Sequence, residues 1–391
     1  MIDLYRSDNV VVRQVPAQDV SRWVVTFDNY GLGPGFDRPG FGQDFLARSG
    51  VSAIHVLGRG DDWYQYPDMA QALAAVRGAV AGAERVMTYG SSMGAYAAIR
   101  FADAVGAHAA LAISPQYSID PRRAPFEIRW TADALRIDFQ PEIEDRLACA
   151  IRPLIVYDSA GDDQRHVALI TAEIAADLIG VGHIHHPATT FLLEAGMLAP
   201  LVMGLLAGPV DAAALTARAR RARRDSVACL TLMAERQPPH RPRLALALAR
   251  RAVEIQPDQP MALSGLAQQL TRAGDHEAAL ALHDRATRLS GRGISYLAPY
   301  SQALAAAGRL EDAEALAVEA VEQYPSAPHL HYWLATIRLR AGRTPDAIPA
   351  LERAVALEPD NARYRRTLAE QQAPGGRFAR RLFRWLKRRL A

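Results

Sequence analysis

The amino-acid sequence predicts an α/β domain with a mostly parallel sheet, followed by an all-helical solenoid. Two observations carry this. From Val10 to about Gly208, β-branched runs alternate with helical runs, and beyond Arg224 the strands vanish and a 34-residue repeat takes over. A chain of 391 residues, half of them hydrophobic, has material for two cores.

In the first half the predicted strands are RWVVTFDN, SAIHVLG, RVMTYG, AHAALAIS, RPLIVYDS and DLIGVGHI. Between them lie helical runs such as FGQDFLARSG, MAQALAAVRGAV and AYAAIRFADAVG. Strands of this kind, each followed by a helix, indicate a sheet covered on both faces. The longest apolar stretch, Gly196 to Val210, has 15 residues and contains Pro200, too short and broken for a membrane span, and it reads as a core helix. This domain is placed at 1–210, with an Arg-rich helical linker at 211–225.

In the second half Gly274, Gly308 and Gly342 stand 34 residues apart. The same interval separates Ala245, Ala279, Ala313 and Ala347, and again Ala252, Ala286, Ala320 and Ala354. Pro257, Pro325 and Pro359 share the frame, with Gly291 at the missing proline position. Small residues at fixed helical positions let paired helices approach closely, glycine turns one helix into the next, and proline ends the pair. This pattern resembles the tetratricopeptide repeat over about 226–371, with a divergent first unit in which His240 replaces the turn glycine. The resemblance implies a concave groove that binds a protein or peptide partner.

The segment TYGSSMGAYA sets Ser92 between Gly90 and Gly94, after a strand and before a helix. A serine on so sharp a turn projects its hydroxyl from the carboxyl end of the sheet, and side chains in place of the glycines would collide with backbone. A nucleophilic serine needs a base and the base an orienting acid. DSAGDD, after the strand ending at Tyr157, favours Asp162 as the acid, with Asp158 and Asp163 as alternatives. GHIHHP, after the next strand, favours His186 as the base over His185 and His183.

Together these residues resemble the α/β-hydrolase family over about residues 10–208, with Gly90 to Gly94 as the nucleophile elbow. The resemblance implies a serine hydrolase, an esterase or related acyl-transfer enzyme, acting on a small-molecule or acyl-ester substrate. It also implies an oxyanion hole built from the backbone amide of Met93 and that of Asn29 or Tyr30. The irregular segment Gln116 to Cys149 stands where that family often inserts a lid, and Arg122, Arg123 or Arg129 would favour an anionic group on the substrate. The rival reading is a non-catalytic adaptor in which both domains bind proteins, within a cell-envelope or polysaccharide assembly.

Net charge is +3, yet Arg218–Arg224 holds five arginines and Arg377–Arg389 seven basic residues, leaving the remainder at −9. The basic balance is thus local and argues against general nucleic-acid binding. Cys149 and Cys229 show neither a disulfide framework nor metal-ligand spacing. Gly31, Gly33 and Gly35 fail the dinucleotide fingerprint because Phe36 takes its third glycine position. Neither a cofactor nor a metal is expected. The amino terminus lacks the pattern of a secretion signal, so a cytoplasmic location is expected. In the tail, 372–391, Phe378, Leu382, Trp385, Leu386 and Leu390 fall at helical spacing among basic residues. That fits peripheral contact with the inner membrane face, and equally a solvated tail or one docked on the repeats.

Overall fold

The computed structural model describes residues 1–373 apart from Leu32 and Pro34. The basic tail expected at 372–391 therefore lies, beyond Ala373, outside the described residues. The chain divides into two compact units, Met1–Leu232 and Met233 onward.

The first unit runs β1 (Ile2–Arg6), β2 (Val10–Val15), β3 (Arg22–Phe27), α1 (Gln43–Arg48), β4 (Ser52–Gly58), α2 (Met69–Ala79), β5 (Arg85–Ser91) and α3 (Met93–Arg100). It continues through β6 (Ala109–Ile113), α4 (Thr131–Arg136), α5 (Pro141–Glu144), β7 (Leu154–Asp158), α6 (Asp163–Glu173), β8 (Asp177–Val181), α7 (Thr189–Glu194), α8 (Leu198–Ala207) and α9 (Ala212–Ala222). The strands form one mixed sheet in the order β1-β2-β4-β3-β5-β6-β7-β8. From β4 to β8 all pairings are parallel, and each of the six predicted strands is present. The antiparallel strands β1 and β2 at one edge were not foreseen, because a short hairpin beside a parallel sheet leaves no helical run to mark it.

Alternation along each strand builds a core on both faces. Trp23, Val25 and Phe27 of β3 pack with α2 and α3, whereas Val24, Met87 and Tyr89 pack on the other face with α8. The apolar stretch at 196–210 is indeed a core helix, with Leu201, Val202, Leu205 and Leu206 of α8 buried. The stretch expected as a linker lies inside this unit. Ala212, Leu215, Ala219 and Ala222 of α9 form a stripe packed into the core beside β8, and Asp211 caps the helix by accepting from Ala213 N and Ala214 N.

Helix α10 (Val227–Glu235) crosses the boundary between the units, and the second unit continues with α11 (Pro242–Ile255), α12 (Pro260–Ala273), α13 (His276–Leu289), α14 (Ile294–Ala306), α15 (Leu310–Gln323), α16 (Pro328–Arg340), α17 (Thr344–Leu357) and α18 (Ala362–Gln372). All eight column alanines are buried where neighbouring helices meet. Gly274, Gly308 and Gly342 take left-handed φ values of 85°, 81° and 76°, which stop one helix and open the next. No described helix is long and apolar enough to cross a membrane.

Each unit buries a histidine in its core. His55 of β4 bonds through Nδ1 to Thr26 Oγ1 at 2.6 Å, and the bare Cα of Gly40 makes room for its ring. Burial, aided by Arg13, holds His55 down to about 4, and burial alone holds His283 of α13 down to about 4. A histidine held neutral in the fold gives stability that is complete above its ordinary value of 6.5 and is lost as pH falls toward 4. We expect each to cost its unit roughly 3 kcal/mol between pH 7 and pH 4. Urea unfolding of the intact protein and of His55→Gln at both pH values checks this: the variant should lose less stability on acidification.

Candidate functional site

The chain reverses direction across the sheet at β3, passing to β4 on one side and then to β5 on the other. Crevices at such switch points, outside the carboxyl ends of the strands, are where open α/β sheets bind ligands. Ser92 sits there, between β5 and α3, with φ 53° and ψ −118°, a conformation that L-residues rarely hold. The glycines around it are needed sterically. A Cβ on Gly90 would stand 2.1 Å from Gly94 O, and one on Gly94 would stand 2.3 Å from Phe27 O. Helix α3 therefore starts against the end of β3, which brings the loop of Asn29 and Tyr30 beside the turn.

Ser92 Oγ lies 2.9 Å from His186 Nε2, and His186 Nδ1 lies 2.8 and 3.1 Å from the two oxygens of Asp163. Asp162, the acid favoured on sequence, is not the partner. It precedes the first turn of α6, where one residue's step turns the side chain by about 100°. Its carboxylate is half exposed and faces Arg165 at 3.9 Å, while that of Asp163 is buried. Asp158 serves the backbone instead. Its Oδ1 accepts from His183 N and Ala160 N, and its Oδ2 from His185 N. It thus holds the main chain of the histidine loop, in which His183 and His185 both have positive φ. The His185 ring turns away to bond its neighbour's carbonyl through Nδ1.

Burial raises the Asp163 carboxyl, but the hydrogen bond and charge of His186, the charge of Arg129 and a hydrogen bond from Ser114 outweigh it and hold the group below the usual range. Asp163 is thus kept ionised and can fix Nδ1 of His186 as the protonated nitrogen, leaving Nε2 to accept the Ser92 hydroxyl proton. The backbone N–H of Met93, the first residue of α3, has no acceptor within the helix. Asn29 donates its side-chain amide to Tyr30 O, and the Tyr30 hydroxyl bonds Asp133. The rings of Tyr30, Trp63 and Trp130 pack together, and Trp130 meets His186 edge-on at 5.4 Å.

Sequence reasoning missed Gln116. Its Oε1 accepts from Trp63 Nε1 at 3.2 Å, which turns its Nε2 toward Ser92 Oγ at 3.2 Å and His186 Nε2 at 3.4 Å. The three residues after β6 match no motif, so nothing in the sequence marked it. The three arginines expected to face an anionic substrate pair instead within the protein: Arg122 with Asp120, Arg123 with Glu144 and Tyr117, and Arg129 with Glu127 and Asp163.

In the second unit a cavity of about 430 Å³ is lined by Gln302 of α14, by His329, Tyr332, Trp333 and Arg340 of α16, and by Arg363 and Tyr364 of α18. Tyr332 stacks on Tyr364 at 4.7 Å, and the Arg363 guanidinium lies 4.9 Å above the Tyr332 ring. Trp333 Nε1 is buried without a hydrogen-bond partner.

Tetratricopeptide-repeat family models match residues 240–293 and 304–370. The helical half of this chain contains tetratricopeptide repeats. Over 76 residues the chain is 43% identical to a TPR repeat-containing thioredoxin, TTL4 of Arabidopsis thaliana, a match covering 19% of this chain and 11% of that protein. The chain thus spans about a tenth of the curated relative it matches. Among solved structures, a thermophilic TPR protein of Thermus thermophilus is similar at 21% identity, covering 47% of this chain and 97% of that one, with a TM-score of 0.36. YrrB, described as a TPR protein with an unusual peptide-binding site, matches at 16% identity over 45% of this chain and 89% of its own, with a TM-score of 0.33.

Backbone surrounds the elbow on both sides, so Gly94→Ala should cost about 3 kcal/mol or more. Gly78→Ala, in an exposed turn of α2 with open space around it, should instead add up to about 1 kcal/mol. Chemical unfolding of the two variants beside the intact protein checks both signs.

Proposed function

We propose that the first unit is a serine hydrolase or related acyl-transfer enzyme of the α/β-hydrolase type, and that the repeats bind its protein partner. The observation that carries this is the continuous chain Ser92–His186–Asp163, linked at 2.9 and 2.8 Å on a strained turn. Ser92 attacks an acyl carbonyl while His186 takes its proton, and Asp163 orients the ring and stabilises the imidazolium. The amide of Met93, with that of Asn29 or Tyr30, receives the negative charge that develops on the carbonyl oxygen. The tetrahedral adduct then expels the substrate's leaving group, which takes the proton from His186, and the acyl-enzyme remains. Water or an alcohol attacks it and gives its proton to His186, which passes that proton to the departing Ser92 oxygen.

A second reading, an adaptor that uses both units for binding, has its own support. The family models fall on interaction repeats, and the Gln116 amide lies within reach of both Ser92 and His186, where a reacting group would otherwise stand. For catalysis this amide has to swing aside.

Labelling by a fluorophosphonate probe separates the two. We expect the intact protein to be labelled, and Ser92→Ala and His186→Ala to lose at least about 99% of the rate, given the size of triad effects. Folded protein that resists the probe would leave the adaptor. For the repeats we propose an acidic segment with an aromatic anchor, facing Arg340 and Arg363 across the tyrosine stack. Fluorescent peptides carrying one aromatic residue among acidic or among basic neighbours test this. Only the acidic peptide should bind, and Arg363→Glu should weaken it about tenfold or more.

A further inference from the structure

Behind the Ser92–His186–Asp163 chain lies a charged group that the proposed reaction does not use. Glu127 is buried and accepts from Arg129 Nε and Nη2, at 3.0 and 2.6 Å, and from the backbone N–H of Arg129 at 2.8 Å. It also lies 2.8 Å from His166 Nε2. The tautomer of His166 follows from its other nitrogen: Nδ1 accepts from Tyr117 N at 3.1 Å, so the proton is on Nε2 and points at Glu127. His166 is thus placed as a neutral donor, and the positive partner of Glu127 is Arg129.

Arg129 is divided between two carboxylates. While Nε and Nη2 hold Glu127, Nη1 reaches Asp163 Oδ1 at 3.3 Å. Its guanidinium lies 4.4 Å from the Trp130 ring centre, and Trp130 in turn packs against His186. The polar and charged groups facing Asp163 are therefore His186, Ser114 and Arg129. Those around His186 are Asp163, Ser92 and Gln116, with His185 on its carbonyl and Asp158 beneath the loop backbone.

We infer that Arg129 is a positioning residue that sets the basicity of His186 by dividing its charge between Asp163 and Glu127. This rests on the serine-hydrolase reading, because only there does the proton affinity of His186 matter. A cation beside Asp163 offsets part of the negative charge that would stabilise protonated His186. Without Arg129 the imidazole holds a proton to higher pH and the serine loses its base. Without the Glu127 charge, Arg129 acts on Asp163 undivided and the effect reverses.

The rate of fluorophosphonate labelling, followed from about pH 5 to 9, tests this through its midpoint. In Arg129→Met we expect the midpoint to rise by on the order of one pH unit, a tenfold lower rate on the acidic limb. Arg129→Lys should return it most of the way, and Glu127→Gln should move it below that of the intact protein. A lower plateau with an unmoved midpoint in Arg129→Met and Glu127→Gln would overturn the inference and leave Arg129 a packing role only. Absence of labelling of the folded, intact protein at every pH would sink the hydrolase reading instead. Titration of the His186 imidazole proton by NMR, in the intact protein and in Arg129→Met and Glu127→Gln, reads the same shifts without activity; unmoved titrations in both variants also overturn the inference.

Discussion

Everything at the candidate site depends on one close approach of backbone to backbone. Helix α3 begins against the carboxyl end of β3, near enough that Gly94 has no room for a methyl group beside Phe27 O, and the turn before it closes so tightly that Gly90 has none beside Gly94 O. Ser92 is forced between them into a conformation it would not choose. The strain is sustained by the surrounding sheet: Ser92 N bonds Ile113 O at 2.8 Å in β6, and Ser91 Oγ bonds Thr189 Oγ1 at 2.9 Å at the start of α7. Neighbouring strands thus fix the serine and the histidine loop in one frame, and Asp158 secures that loop from below.

Much of this was legible in the sequence because its causes are local or periodic. Gly90 and Gly94 flank a serine after a strand, and the glycine and alanine columns repeat at the length of one helix pair, each small residue falling where helices touch. What stayed hidden depends on three-dimensional direction. Asp162 and Asp163 are neighbours in a helical first turn, and no pattern in DSAGDD says which faces inward; burial beside Ser114 and Arg129 decides it. The arginines of the segment after β6 read as candidates for a substrate anion, since a sequence cannot show that Asp120, Glu127 and Glu144 fold back to pair with them. Gln116 was hidden for the same reason: its meaning comes from Trp63, 53 residues earlier in the chain.

The two units reach stability by different routes. In the sheet unit, contacts join segments far apart in sequence, and the buried Glu127 and His166 satisfy each other across 39 residues of chain. In the repeat unit each helix meets its neighbours in turn, and alanine columns replace large side chains where helices cross. His283 departs from this economy. It is buried in α13 with neither ring nitrogen bonded, stacked 6.0 Å from Tyr300, so the array carries at least one group whose packing costs it polar satisfaction.

The segment after β6, which sets Gln116 beside Ser92 and Trp130 against His186, is fastened rather than hinged. Glu144, itself buried, accepts from Tyr96 and Gln65 of the domain body and from Ser118 of the segment, and Arg136 pairs with Asp62, so the segment is tied to the body of the domain at two places. Lifting it would strip several buried polar groups of their partners at once, each at a cost of about 1–3 kcal/mol. If Ser92 acts as proposed, it is therefore not this segment lifting as one piece but the buried Gln116 amide beside Ser92 that has to give way to a substrate.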